Sequence, residues 1–298
     1  MLSILIPTYN YNVYPLVTEL KYQADKLDIA YEILVQDDAS TTFLEENTEI
    51  NLLQHCSYTL NHENLGRGNN INLLNNRAQF DYVLIMEADA FPEKKTYLQN
   101  LIASINQETQ VLFGGVTYPN EKPEKDKLLR WKYGNERESI PLSERLKNQY
   151  HFVFTWNLVL KKELLSNYHF PYNVKDYGYE DVVFINQLKK NNIPIQHIEN
   201  RLIHLNTESS ATFIEKTERA ITTLNQLIKN NKLDLKDTKI GKVYRNIQFW
   251  QLNIVICFLF KKLAKEMIAN LTSSNPSLIV LDLYKLGYFC LLNQKKHV

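Results

Sequence analysis

Residues 2–7 and 32–36 are short apolar runs that empty into polar stretches, Pro7-Thr8-Tyr9-Asn10 and Asp37-Asp38-Ala39-Ser40. Runs of this length ending in turn-forming residues predict buried strands. Between them, Leu16, Val17, Leu20, Ala24 and Leu27 recur at helical spacing over residues 14–27, which completes a β-α-β unit. A helical stretch around residues 68–78 precedes a third strand, 82–86, which ends in Glu87-Ala88-Asp89. Acids therefore recur at strand exits, and in open α/β sheets ligands sit beyond the carboxyl ends of the strands. Residues 111–116 contain Gly114-Gly115, and 119–150, rich in Pro, Lys and Glu, read as a mobile excursion over the cleft. Residues 151–160 form a further apolar, aromatic run. In Lys175-Asp176-Tyr177-Gly178-Tyr179-Glu180-Asp181, followed by Val182, Val183, Ile185 and Leu188, a carboxylate pair opens a helix. Residues 193–198 and 202–205 read as strands, and 213–228 as a helix.

At 298 residues the chain is about twice a typical single domain of roughly 150, so one large α/β domain with an appendage, or two modest domains, is expected. Three cysteines without a CxxC pair suggest neither a disulfide framework nor a zinc ribbon. The opening residues read as a strand and not a signal peptide, so the expected setting is cytoplasmic. The formal charge of +1 conceals an asymmetry: residues 1–119 hold 6 basic and 15 acidic residues, residues 120–298 hold 28 and 18. The acidic front half and the lack of an arginine-aromatic stripe argue against a nucleic-acid partner.

Asp37-Asp38 suits a helix cap or turn brace as well as a ligand contact. Glu87-Ala88-Asp89 places two carboxylates one residue apart at a strand end, where one can reach a divalent cation and the other meet solvent or a ribose. With a diphosphate, such oxygen ligands favour magnesium or manganese over zinc. Glu180-Asp181 is either a dipole-favoured helix start or a general base beside a cleft. His204, at a strand exit, is the one histidine of seven placed to bind a metal. Gly66-Arg67-Gly68 lacks both the Rossmann fingerprint and the P-loop, which removes dehydrogenase and P-loop activities. A nucleotidyltransferase would call for a Gly- and Lys/Arg-rich loop near the first strand, and residues 7–14 offer none.

In order, these motifs resemble the family-2 glycosyltransferases of the GT-A fold over about residues 1–225. Asp37-Asp38-Ala39-Ser40 stands where the family has Asp-Asp-Gly-Ser, Asn64-Leu65-Gly66-Arg67 precedes a helix, and Glu87-Ala88-Asp89 takes the place of Asp-x-Asp. Gly178-Tyr179-Glu180-Asp181 is similar to the family's Gly-x-Glu-Asp, and His204 lies where many members place a metal ligand. The stretch from Tyr177 through Phe213 and Lys216-Thr217-Glu218 is similar to bacterial members that build surface polysaccharides of the cell envelope. Three residues depart: Glu87 replaces Asp, Ile71 stands near where relatives often carry arginine before Asn72, and Ala39 replaces Gly, which matters if that position needs a positive φ.

The resemblance implies a Rossmann-like mixed α/β sheet flanked by helices, with a nucleotide-sugar half (1–115), an acceptor half (116–225) and a mainly helical C-terminal extension (226–298). It also implies an inverting, metal-assisted transfer from a nucleoside-diphosphate sugar, UDP-linked by expectation, to a hydroxyl of a glycan or lipid-linked glycan. Pro7, Thr8, Tyr9, Asp37, Asp38, Arg67, Glu87 and Ala88 would meet the nucleotide, Asp89 and His204 would hold Mn2+ or Mg2+, and Asp181 would be the base with Glu180 orienting the acceptor. Trp156, Asn157 and Tyr179 would line the acceptor side, although Trp156 equally suits core packing. The alternative is a catalytically silent sugar-nucleotide or glycan-binding module, with Glu87 as a sign of decay. Residues 247–260 are apolar for 14 residues with three polar interruptions, shorter than the roughly 20 a spanning helix needs. Lys261, Lys262 and Lys265 follow, leaving three partners open for the extension: the main domain, a second copy in a homodimer, or an anionic membrane surface.

Overall fold

A computed structural model of the protein describes residues 1–171, 178–205 and 208–294. Lys175, Asp176 and Tyr177 of the aromatic-glycine run, and Asn206-Thr207 after His204, lie outside the described residues. The chain begins β1 (Leu2–Thr8), α1 (Tyr14–Ala24), β2 (Tyr31–Asp37), α2 (Leu44–Thr48), β3 (Cys56–Leu60), α3 (Arg67–Arg77), β4 (Tyr82–Ile85), β5 (Ala90–Pro92), α4 (Tyr97–Ala103), β6 (Val111–Phe113) and β7 (Val116–Thr117). It continues with α5 (Leu128–Tyr133), α6 (Leu142–Arg145), β8 (Leu158–Lys161), α7 (Lys162–Asn167), α8 (Glu180–Lys190), β9 (Ile195–His197) and β10 (Leu202–His204). Last come α9 (Ser210–Lys229), α10 (Lys239–Phe249), α11 (Asn253–Leu271) and α12 (Leu278–Leu292).

Two compact units result. Met1–Pro119, Arg137–Lys175 and Glu180–Leu205 form the first, and Asn120–Glu136, Asp176–Tyr179 and Asn206–Val298 the second. The first unit holds a mixed seven-stranded sheet ordered β3-β2-β1-β4-β8-β6-β9 and a three-stranded sheet ordered β5-β10-β7. β1 to β4 run parallel, and β8 enters antiparallel to both β4 and β6. Every residue of β1 and β2 is buried, as expected of parallel strands covered on both faces. The apolar stripe of α1 is buried through Leu16, Val17, Leu20 and Ala24.

α3 closes tightly on the segment before α8. A Cβ at Gly68 would lie 3.0 Å from that of Phe170, and Asn72 both donates to the Phe170 carbonyl (2.9 Å) and accepts from its N–H (3.0 Å). Ile71, which departs from the family pattern, is wholly buried in the core, where a guanidinium would be expensive to desolvate.

Two expectations are corrected. Residues 119–150 are not simply a mobile excursion: they contain α5 and α6, and the Arg145 side chain, 1% exposed, donates to the carbonyls of Ile140 (3.1 Å) and Ile198 (3.0 Å). The apolar stretch 247–260 is not one helix, because the chain turns between α10 and α11 with Gln251 in the left-handed region at φ +57.

β6 and β7 join different sheets, and the chain switches between them at Gly114-Gly115, the latter at φ +88. The switch is held by Asn157, wholly buried and at φ +60, a conformation asparagine tolerates. Its amide donates to the carbonyls of Gly115 (2.5 Å) and Asn200 (2.9 Å) and accepts from the Tyr97 hydroxyl (2.6 Å). In the second unit, Phe260, Leu271, Leu278, Leu281 and Tyr284 of α11 and α12 form a core with Leu129 and with Phe213 and Ile214 of α9.

Replacing Asn157 with Ala strands the Asn200 carbonyl and the Tyr97 hydroxyl in the interior and leaves the Gly115 carbonyl with only the Leu202 N–H. Asn157→Ala is expected to cost about 2–4 kcal/mol and lower Tm by roughly 5–10 °C; an unchanged melting curve would refute its bracing role.

Candidate active site

The loops after β1 and β2 interlock. The Ser40 hydroxyl accepts from the Asn10 N–H (2.7 Å), the Asn10 side chain accepts from the Thr41 N–H (2.8 Å), and the Asp38 N–H donates to the Thr8 carbonyl (2.9 Å). Asp37 is wholly buried, accepting from the Ser40 N–H (2.8 Å) and the Tyr58 hydroxyl (2.8 Å). It braces the strand exit, with each of its oxygens accepting one hydrogen bond inside the fold. Asp38 accepts at Oδ1 from the Leu65 N–H (2.8 Å) and the Asn61 amide (3.1 Å), and at Oδ2 from the Gly66 N–H (2.9 Å). That clamp ties the β2 exit to the start of α3. Pro7 and Thr8 are buried, Ala88 is nearly so, and Tyr9 is exposed.

Arg67, the first residue of α3, is the hub of the site. Its Nε donates to Glu87 (2.6 Å), its Nη1 and Nη2 donate to the Thr155 hydroxyl (3.0 Å) and carbonyl (3.1 Å), and Nη1 lies 3.8 Å from a Glu180 oxygen. The extra methylene of Glu87 thus lengthens a side chain whose carboxylate ends on this guanidinium. Burial works to lower the pKa of Arg67, but Glu87, Glu180 and Asp181 outweigh it and hold it above its usual value. Glu180 is raised to about 7, first by burial and then by the Asp181 charge, with Arg67 opposing. Asp181, which accepts from the Val182 N–H (2.8 Å), is likewise raised by burial. Glu180 Oε2 has no hydrogen-bond partner among the described residues. Three carboxylates around one guanidinium leave the cluster short of positive charge, and it can keep a proton near neutrality.

The second cluster is built by strand register. Ala90 of β5 stands opposite His204 of β10, and the Leu205 N–H donates to the Asp89 carbonyl (2.7 Å). This sets His204 Nε2 3.6 Å from Asp89 Oδ2. Tyr118 stacks on the imidazole (5.3 Å between centroids, 22°) and Trp156 meets it edge-on (5.1 Å, 68°). Burial and then the Asp89 charge raise the pKa of Tyr11, which puts the β1 exit within reach of Asp89's field. Among the described residues no three metal-ligating side chains cluster. One carboxylate and one imidazole nevertheless suit a manganese or magnesium ion whose remaining ligands are substrate phosphates and water.

The expected acceptor wall is only partly present. Asn157 is committed inside the fold and Trp156, 8% exposed, packs against His204 and Phe154, so neither is an open wall of the site. Tyr179, half-buried at φ +66, directly precedes α8. Sequence patterns missed Thr155, Tyr118, Tyr58 and Asn61, because none lies in a motif and each matters only through a distant partner. A hollow of about 350 Å³, lined in part by Tyr31, His55, Cys56, Arg77 and Phe80, lies at the amino ends of β2 and β3, opposite the acidic exits. Its Arg77 binds Gln36 and Ser57, and its Glu32 binds Ser3 and the Gln79 N–H, so it adds nothing to the site.

Residues 3–168 match the model of glycosyl transferase family 2, and the chain belongs to that family. No curated protein matches the sequence. Among solved structures, the mannosyltransferase PcManGT from Pyrobaculum calidifontis is similar at 18% identity over 98% of this chain and 81% of its own, with a TM-score of 0.55. Mannosyl-3-phosphoglycerate synthase from Rubrobacter xylanophilus is similar at 14% identity over 78% of this chain and 76% of its own, with a TM-score of 0.53. S. aureus TarS is matched at 20% identity over 76% of this chain, with a TM-score of 0.49, and the match spans only 43% of that longer chain. At these identities the likeness is one of fold, and it fits the GT-A type: a mixed sheet flanked by helices, with a helical C-terminal region.

Two outcomes follow from this geometry. Ala39 sits at φ +63, where a Cβ is strained and the family's glycine is not. Ala39→Gly is expected to raise stability by about 0.5–1 kcal/mol, read from denaturant midpoints; a loss would show that the strain is absent. Because the folded protein holds a proton on the Glu180–Asp181 pair that the unfolded chain releases, stability should fall as pH rises from about 4.5 to about 7. Glu180→Gln should remove most of that decline, on the order of 2 kcal/mol, in paired denaturation series at pH 5 and 8; parallel profiles for the two proteins would exclude it.

Proposed function

We propose that this glycosyltransferase moves a sugar from a nucleoside diphosphate, UDP in our reading, to a hydroxyl of a glycan or lipid-linked glycan with inversion at the anomeric carbon. Residues 1–115 would form the donor half and 116–225 the acceptor half, with 226–298 as an extension, and the setting would be cell-envelope polysaccharide assembly at the cytoplasmic face. The observation that carries this reading is the Arg67 hub. One guanidinium contacts Glu87, two residues from Asp89, and approaches Glu180, next to Asp181, so donor-side and acceptor-side acids share one anchor.

Asp38 would read the base with Asp37 bracing it from behind: Asp38 Oδ2 accepts one backbone N–H, leaving a lone pair for a ring imide N–H. Asp89 and His204 would hold Mn2+ or Mg2+, which when bound supplies Lewis-acid neutralisation of the charge growing on the diphosphate. The Pyrobaculum calidifontis neighbour, solved with GDP-Man and Mn2+, supports a nucleotide sugar and a divalent cation on this fold. Asp181 takes the proton of the acceptor hydroxyl as its oxygen attacks the anomeric carbon and the diphosphate leaves from the opposite face. Burial raises the pKa of Asp181, and a carboxylate of raised pKa is the stronger base toward the acceptor hydroxyl. Glu180, raised to about 7, orients the acceptor through a hydrogen bond to one of its oxygens. Trp156 and Tyr118 act through His204 by fixing its ring.

Calorimetric titration with UDP, GDP and dTDP, each with and without Mn2+, should show metal-dependent binding of one nucleotide that Asp89→Ala abolishes. Asp181→Asn should retain that binding and lose roughly 100- to 10,000-fold in turnover. Absence of binding to any nucleotide, or full turnover by Asp181→Asn, would overturn the assignment.

A further inference from the structure

The second unit carries an apolar surface that the described residues leave uncovered. Where α10 turns into α11, Phe249 is 78% exposed, Trp250 70% and Ile254 65%, and Leu252, Val255 and Phe258 are also exposed. Soluble proteins rarely leave so large a contiguous apolar patch in water without a partner for it. These side chains are not a misplaced core. α11 has a separate inward face, Cys257, Phe260 and Leu271, of which Phe260 and Leu271 pack in the core of the unit. The tip is an additional surface, fixed by the left-handed Gln251 that breaks the apolar run into a helical corner.

The charge around the tip selects the partner. Lys261, Lys262 and Lys265 follow on α11 and Lys242 and Arg245 precede on α10, all exposed, and Glu266 is the one acid between residues 239 and 271. From Ile254 to Lys261 and from Phe258 to Lys265 is seven residues of helix, roughly 10 Å. That matches the roughly 5–10 Å by which interfacial apolar side chains enter the headgroup region, and it leaves the lysines at phosphate level. Lys262 Nζ already lies over the Phe258 ring, 4.5 Å from its centroid, so cationic and apolar groups meet on one part of α11. A second copy meeting this tip about a two-fold axis would set the lysines against their own equivalents, a like-charge contact. No helix among the described residues is long and apolar enough to cross a membrane, so insertion would be shallow.

We infer that the α10–α11 corner docks the protein on an anionic lipid surface, with Phe249 and Trp250 entering the bilayer and the lysines binding lipid phosphates. This does not depend on the sugar-transfer reading, and either can fail alone.

Co-sedimentation of the full chain with phosphatidylcholine vesicles, with and without phosphatidylglycerol, tests the inference. The protein should pellet with the anionic vesicles, bind neutral ones far less, and be released by high salt. Phe249→Ser/Trp250→Ser should weaken binding roughly tenfold or more, and Lys261→Ala/Lys262→Ala roughly thirtyfold. Both variants should melt close to the wild type, since the side chains removed are exposed and Lys261 gives up only a surface hydrogen bond to Gln294 (2.9 Å). Bound to vesicles, Trp250 should give a blue-shifted emission that Trp250→Ser removes. No retention on anionic vesicles, or retention equal in all variants, would overturn the inference. So would a dimer in solution that Phe249→Ser/Trp250→Ser dissociates, which would give the tip to a second copy.

Discussion

A guanidinium confined among carboxylates cannot be moved cheaply, and Arg67 is so confined. Its five N–H groups are fixed in a plane, and it spends them on Glu87 beyond β4 and on Thr155 before β8, with Glu180 of α8 beside them. Residues far apart in sequence are thereby held to one centre, in a place where loss of any partner leaves a charge poorly compensated. Burial raises the pKa values of Glu180 and Asp181, and a guanidinium shared among three acids offsets that only in part. One cation serves three acids, so the last proton is hard to remove.

The Asp89–His204 pair is organised differently. It rests on the backbone ladder of a three-stranded sheet whose strands have two or three residues each. Tyr118 and Trp156 confine the imidazole, so its orientation is set before any ligand arrives. Preorganisation of this kind counts for more than added contacts, since a group already in place has little entropy left to lose.

The strands that end in acids were legible because a continuous apolar run has few fates in a chain of this length, and β1, β2 and β4 follow their runs to within a residue or two. β3 was not legible, because of Cys56–Leu60 only Tyr58 is buried. Nor could the pattern show that β8 slots antiparallel between β4 and β6, since strand order is a tertiary choice. Within the site, Asp37 and Asp38 are identical neighbours with different tasks, sorted by which way each side chain leaves the strand end. Asn157 looked like a sugar contact because amides suit hydroxyls; its real task, satisfying carbonyls where two sheets part, is a matter of interior hydrogen bonding that no local pattern records.

The ladder between β5 and β10 has a further meaning for how this protein can change. Side chains alternate across a strand, so a slip of one residue would set Ile203 opposite Ala90 and turn the imidazole to the other face. Length changes inside either strand are therefore governed by parity: odd steps erase the pair outright, and even steps move it by two positions. Changes of chain length are therefore accommodated in the connecting loops, where they leave the ladder in register.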